Sequence, residues 1–412
     1  MMQVMKLLIP LALASGALSQ GNGDRPSLED LLKSENQTLG SFSDVLGLLP
    51  DNVRSSLNQA KDVTILAPNN DAFSRFLASQ NVSSPENATQ LDPGLVAAVV
   101  QYHVLNGTLY ESNLTDTGTG PQFLATHLNN ETYSNVTGGQ RVESRPSSDG
   151  RNVTFISGLK ESAHLTDRRS LNFTGGTVHI IDNVLTIPRD ATDTLSAANL
   201  TAVLGAIQRA GLTDDINRMR DITIFAPSNE AFAAIASVAQ NLTDEQLGDI
   251  LAYHVAPGQV LYSDSLTNST VHALNGGNFT VRTDNNGSMF INGAEVVQSD
   301  VLIKNGVVHV VNGVLNPENP SATPDTTAST QAPAFTGAST AADGAVPFTS
   351  GVETPTSTAP IATGGPGGGG GGGGGEGGDG GGEGNSGAGP MISGVVALAT
   401  LFGAGVVAFM NL

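Results

Sequence analysis

Cysteine is absent from all 412 residues, which removes disulfides, thiolate metal centres and thiol nucleophiles together. Export is not excluded, but an exported chain without disulfides must rely on domains large enough to bury real cores. Basic residues are scarce: 18 Lys and Arg face 38 Asp and Glu, for a formal net charge of -20. A field of that sign repels phosphate backbones, so no nucleic-acid partner is expected. The chain also lacks a strand-linked G-x-G-x-x-G, a G-x-x-x-x-G-K-[ST], an H-E-x-x-H and a G-x-S-x-G. Nucleotide binding, zinc hydrolysis and serine hydrolysis therefore have no motif behind them, and no catalytic residue, metal or cofactor is expected.

The ends carry two apolar runs of different character. Lys6, the stretch Leu7 to Leu18 and the small residues Ala17 and Ser19 make a cleavable signal peptide over 1–19. Residues 319–390 are rich in Ser, Thr, Pro and Gly and read as a disordered stalk, and 391–412 form an uncharged hydrophobic tail. A spanning helix would be expected to leave a basic cluster behind it, yet no Lys or Arg follows Lys304. The pattern fits a glycosylphosphatidylinositol signal, with small residues at Asn385, Ser386 and Gly387 and attachment expected at Asn385 or in the Gly run before it. Acceptors for N-linked sugar occur at Asn36, Asn81, Asn87, Asn106, Asn113, Asn130, Asn135, Asn152, Asn172, Asn199, Asn241, Asn268, Asn278 and Asn286, all between the signal peptide and the stalk. Any that are used must face solvent.

The middle of the chain is one unit written twice. Asp62-Val63-Thr64-Ile65-Leu66-Ala67-Pro68 returns as Asp221-Ile222-Thr223-Ile224-Phe225-Ala226-Pro227, each followed four and five residues after the proline by Ala-Phe. Tyr102-His103-Val104 returns as Tyr253-His254-Val255, and Gly176-Thr177-Val178-His179 as Gly306-Val307-Val308-His309. Phe42, Val45, Leu46 and Leu49, like Leu200, Val203, Leu204 and Ile207, share one face of an opening helix. A short buried strand then ends at Pro68 or Pro227, and Asn69 or Ser228 caps the helix that follows. Asp92 with Pro93, and Thr243 with Gln246, start the helix leading to each Tyr-His. Short Val-, Thr- and Ile-rich runs come next, so the expected class is α+β with antiparallel strands, not a doubly wound sheet. The first copy carries extra residues between Glu111 and Asn172, expected as a glycosylated surface loop or extended hairpin.

The T-x-x-A-P box, the central Tyr-His and the closing G-x-V-H-x-x-x-x-V-L together resemble fasciclin (FAS1) domains, over 28–188 and 197–318. The resemblance implies two tandem compact wedges of short strands with packed helices, displayed outside the cell on a stalk. It implies a non-enzymatic adhesion or cell-wall and matrix-organising role, with wall or matrix glycans or surface proteins as partners, self-association as a further possibility, and a fungal source. A lipid-binding or vacuolar, secretory membrane-trafficking role is the alternative, and a wall-modifying enzyme the third reading. Tyr102, His103, Tyr253 and His254 match the family's adhesion-linked positions and are the candidate partner contacts. The residues themselves also allow a structural role, in which each ring nitrogen ties a helix end to backbone. No Arg-Gly-Asp accompanies them.

Overall fold

The computed structural model describes residues 25–355, apart from 81, 83–90, 119, 168, 285–286, 327 and 329–330. The expected signal peptide, Asn385, the apolar tail, and the acceptors Asn81, Asn87 and Asn286 lie outside the described residues.

Unit one opens with α1 (Leu28–Ser34), α2 (Asn36–Gly47) and α3 (Asp51–Gln59), then β1 (Val63–Pro68), α4 (Asn70–Ser79) and α5 (Pro93–Tyr102). It continues through β2 (Val104–Asn106), α6 (Glu111–Leu114), β3 (Gln122–Ala125), β4 (Arg141–Pro146), β5 (Val153–Ile156), β6 (Ser162–His164) and β7 (Leu171–Phe173), and ends in β8 (Gly176–Ile181). Unit two repeats the order with α7 (Ala191–Ala197), α8 (Thr201–Arg209), α9 (Thr213–Arg218), β9 (Ile222–Pro227), α10 (Asn229–Ala234), α11 (Ala236–Ala239) and α12 (Asp244–Tyr253). Its strands are β10 (Val255–Ala256), β11 (Ser269–His272), β12 (Asn278–Thr283), β13 (Met289–Ile291), β14 (Ala294–Ile303) and β15 (Gly306–Val311).

The helix starts follow local chemistry. Asn69 accepts from the Ala72 amide at 2.8 Å and Ser228 from the Ala231 amide at 3.2 Å. Asp92 accepts from Gly94 and Leu95, while Thr243 and Gln246 form a reciprocal capping box. Each cap satisfies amides that the first helical turn leaves without partners.

The sheets differ from expectation in one respect: their central pair is parallel. β1 pairs with β8 from Val63↔Gly176 to Pro68↔Ile181, and β9 pairs with β15 from Ile222↔Gly306 to Pro227↔Val311. The intervening helices and antiparallel hairpins act as one long crossover that returns the chain to the same end. Strand order is β2-β1-β8-β7 and β3-β4-β5-β6 in unit one, and β10-β9-β15-β14-β13-β12-β11 in unit two. The glycine that opens each closing strand is required by close approach, because a Cβ at Gly176 or Gly306 would lie 1.8 Å from the carbonyl oxygen of Val63 or Ile222.

The central strands are buried on both faces. Ile65, Ala67 and Val178 meet Phe42 and Phe73 on the helical side, while Leu66 and Ile181 meet Tyr102 and Phe155 on the other. Unit two divides in the same way, with Ile224 and Val308 against the helices and Phe225 and Val311 against Tyr253 and Phe279. Two-sided burial explains why these strands are apolar almost throughout instead of alternating.

Two segments expected outside the wedges touch unit two. The extra length of unit one includes the β3–β4 connection, residues 126–140, against 273–277 in unit two. Of the two forms expected for it, the extended hairpin is the one seen, with β3 antiparallel to β4, and the second half of its connection folds onto unit two, as described below. The segment expected as a stalk from 319 also carries contacts to unit two. Phe335, Ala338, Val346, Phe348 and Val352 pack on the helical core of unit two. Apolar residues scattered through an Ala-, Thr- and Gly-rich segment suffice to hold it, because Gly205 on α8 leaves room: a Cβ there would lie 1.8 Å from the Phe348 carbonyl oxygen. The Phe348 ring meets Phe232 edge-on at 5.7 Å and lies 5.5 Å beneath the Arg209 guanidinium.

Candidate functional site

The four Tyr-His residues are interior. Tyr102 and Tyr253 are the last residues of α5 and α12, and His103 and His254 are the C-cap residues. Their exposures are 0, 1, 1 and 2 per cent for Tyr102, His103, Tyr253 and His254. Direct contact with a partner would require the unit to open. The two pairs do not converge either, since each serves its own core.

The wiring of the two histidines is the same. His103 Nδ1 donates to the Val99 carbonyl at 2.7 Å, and Nε2 accepts the Leu185 amide at 2.9 Å. His254 Nδ1 donates to the Ile250 carbonyl at 2.7 Å, and Nε2 accepts the Leu315 amide at 2.9 Å. Each ring is thereby fixed as the neutral Nδ1–H tautomer, and burial lowers its pKa to about 4. Each neighbouring tyrosine hydroxyl donates to a strand carbonyl, Tyr102 to Arg141 at 2.8 Å and Tyr253 to Asn278 at 2.5 Å. The closing-strand histidines do similar work, with His179 Nε2 donating to Leu109 at 2.7 Å and His309 Nε2 to Leu261 at 2.8 Å. All four histidines have a ring nitrogen donating to a backbone carbonyl, the structural option that the sequence left open.

A second assembly of polar residues joins the two units, and sequence reasoning missed it. Gln140, fully buried, donates to the Ile303 and Lys304 carbonyls at 3.1 and 3.3 Å. The Asn135 amide donates to the Lys304 carbonyl at 2.8 Å, and the Asn135 side-chain nitrogen to the carbonyls of Arg218 and Met219 at 3.2 Å each. Thr137 gives its backbone N–H and its hydroxyl to the two carboxylate oxygens of Asp221, at 2.6 and 2.5 Å. Beside these bonds the Phe123 and Tyr262 rings stack at 4.3 Å, next to buried Leu302 and Val307.

The repeat shows how this face was made. Asp62 and Asp221 occupy equivalent places before the central strands, and both have positive φ, 57° and 53°. Asp62 spends its carboxylate inside its own unit, accepting the Thr108 amide at 2.8 Å. Asp221 reaches across to Thr137. The connection that meets it turns through Gly138 and Gly139, and Gly139 must lack a side chain because a Cβ would lie 2.2 Å from the Thr126 carbonyl oxygen. The shorter connection of unit two also ends in a Gly-Gly pair, Gly276 and Gly277, so the glycines alone gave no signal of the face.

Among the described residues no group of three or more His, Asp or Glu could hold a metal ion. Nor is any helix among them long and apolar enough to cross a membrane. A cavity of about 220 Å³ lies where the chain after β15 crosses unit two, lined by Ala294, Leu315, Asn319 and Pro333 among others. That is below the range typical of small-molecule sites, roughly 300–1,000 Å³.

Two repeated α+β wedges, each tied by buried histidines and joined through a polar face, define a tandem-domain scaffold. The Fasciclin domain pattern matches residues 40–188 and 198–317, and the chain belongs to the fasciclin domain family. It is 35% identical over 278 residues to a fasciclin-like arabinogalactan protein of Arthroderma benhamiae, covering 68% of this chain and 64% of that relative's length. It is 30% identical over 311 residues to the fasciclin-like arabinogalactan protein elcF of Phaeosphaeria nodorum, covering 75% of this chain and 91% of that protein. Human periostin aligns at 23% identity over 66% of this chain and 29% of its own length.

Proposed function

We propose that this chain is a non-enzymatic surface glycoprotein that mediates adhesion or organises cell wall or matrix. The observation that carries the reading is the use of its polar chemistry: the tyrosines and histidines at the family's adhesion-linked positions are spent on internal bonds, leaving outer faces to do the binding. Those faces hold Asn36, Asn106, Asn113, Asn130, Asn152, Asn172, Asn241, Asn268 and Asn278 in exposed positions, which supports a sugar-coated exterior. Tyr102, His103, Tyr253 and His254 act on adhesion by shaping the units. Tandem presentation multiplies weak contacts with glycans or surface proteins through effective concentration.

The same reading places the chain on the outer face of the cell membrane, held by a lipid at Asn385 or in the Gly run before it. The uncharged apolar tail 391–412, preceded by the small residues Asn385, Ser386 and Gly387, supports this arrangement. The decisive experiment deletes the protein and measures adhesion of whole cells to wall and matrix fractions, with the glycosylated chain added back. Unchanged adhesion in the deletion strain would sink the proposal. Treatment of intact cells with phosphatidylinositol-specific phospholipase tests the anchor separately, release being the expected result.

A further inference from the structure

Asn135 differs from the other described acceptors in where its nitrogen points. An N-linked sugar is joined to the side-chain nitrogen of asparagine, which keeps a single hydrogen afterwards. In the docked pair that nitrogen donates to two carbonyl oxygens of unit two, Arg218 and Met219. The first sugar ring would have to occupy the space held by the α9–β9 connection. Thr137, the hydroxyl residue of the same acceptor triplet, is bound through both its amide and its hydroxyl to Asp221. The other acceptors contrast with this. Asn113 and Asn268 use their side-chain oxygens, accepting the Tyr110 and Thr283 amides, and Asn241 donates only to Ser237 of its own unit.

We propose that sugar at Asn135 and docking of the two units exclude each other, so that occupancy of this one acceptor decides whether the pair is rigid or free to swing. The order of synthesis gives the choice its physical basis. Domains fold as units with the N-terminal one first. Asn135 and Thr137 are thus presented while residues 218–305 are still unmade, and folding of unit two then closes access. A chain that acquires sugar before that moment keeps its two cores but cannot form the face between them. A chain that does not acquire it docks and is protected thereafter. The inference rests on the chain being an exported glycoprotein.

Hydrogen exchange on the unsubstituted, secreted full-length chain tests it, because peptides with and without sugar at Asn135 separate by mass. Where Asn135 is bare, the amides of Asn135 and Thr137, bonded across the face at 2.8 and 2.6 Å, are expected to exchange at least tenfold more slowly than in the sugar-bearing peptide. A second measurement uses the absence of native cysteine. Glu131→Cys and Arg220→Cys place thiols where these side chains now meet at 3.5 Å, and the first change leaves the Asn130 acceptor triplet intact. A short bismaleimide then joins docked molecules only. The joined fraction should be bare at Asn135 while Asn106 and Asn152 carry sugar equally in joined and unjoined fractions. Equal exchange in the two peptide forms, or sugar at Asn135 in the joined fraction at the level of the unjoined one, would overturn the proposal. Absence of sugar from every acceptor would instead remove the glycoprotein reading beneath it.

Discussion

His103 Nε2 accepts the backbone amide of Leu185 at 2.9 Å across 82 residues of chain, fastening the end of a helix to the segment that leaves the closing strand. His254 makes the same tie to Leu315. In both units a single neutral ring holds the middle of the wedge to its end.

Stability should therefore fall in mild acid. The unfolded imidazole takes up its proton near 6.5, whereas the folded ring resists protonation down to about 4. Below about pH 6.5 the unfolded state binds more protons than the native state, so stability is complete above that value and is lost as pH drops toward 4. Each ring contributes up to about 3 kcal/mol to this loss. Thermal melts from pH 7.5 to 4.5 check it, and a flat profile between 6.5 and 4.5 would contradict the assigned tautomers.

His103→Ala and His254→Ala should each destabilise their own unit by about 3 kcal/mol or more, since each strands the buried amide of Leu185 or Leu315 and leaves a cavity. Tyr102→Phe keeps the ring and loses one hydrogen bond, so about 1 kcal/mol is expected, whereas Tyr253→Phe also strands the Asn292 side-chain nitrogen that its hydroxyl accepts at 3.2 Å, so about 2 kcal/mol is expected. Urea titration of the four variants gives the order directly. A Tyr→Phe loss equal to the His→Ala loss would mean the hydroxyl matters more than its geometry suggests.

Phe123→Ala should weaken docking without melting either wedge. The stacked pair with Tyr262 is worth about 0.5–1.5 kcal/mol beyond its buried area. Small-angle scattering of the full chain should show a larger radius, while the unfolding midpoint of each core stays in place. A midpoint shift with an unchanged radius would assign Phe123 to the core of unit one instead.

Gly205→Val should expel the segment that carries Phe348, because even a Cβ at that position meets backbone. Phe348→Ala tests the same contact from the other side and should cost about 2 kcal/mol, less than a fully buried phenylalanine. Limited proteolysis reads both, with cleavage between 335 and 352 appearing in the variants before any cut inside unit two. Equal resistance in wild type and variants would show that the segment is held by something other than Phe348.

Much of each wedge was legible because its signals are local. The proline that ends the strand, the asparagine or serine after it, and the Thr243–Gln246 box all act within a few residues and appear where the spacing put them. The direction of pairing was not legible. Val63 to Pro68 is buried on both faces, and such a strand looks the same whether its neighbour runs parallel or antiparallel. The docking face was hidden for a different reason: Asn135 and Gln140 bind main-chain carbonyls more than 80 positions away, and a carbonyl leaves no mark in the sequence. Phe348 was masked by composition, as one aromatic ring within a Ser-, Thr- and Gly-rich stretch outweighs its neighbours once a glycine makes room.

The parallel central pair has a mechanical consequence. Tension that enters ahead of Val63 and leaves beyond Ile181 pulls the two neighbouring strands lengthwise in opposite senses. The rungs between them are then strained in shear, all at once, instead of opening in sequence like a zip. A wedge wired this way resists being drawn out along its own axis, and the second copy, with Ile222 and Val311 in the matching places, would bear load in series with the first.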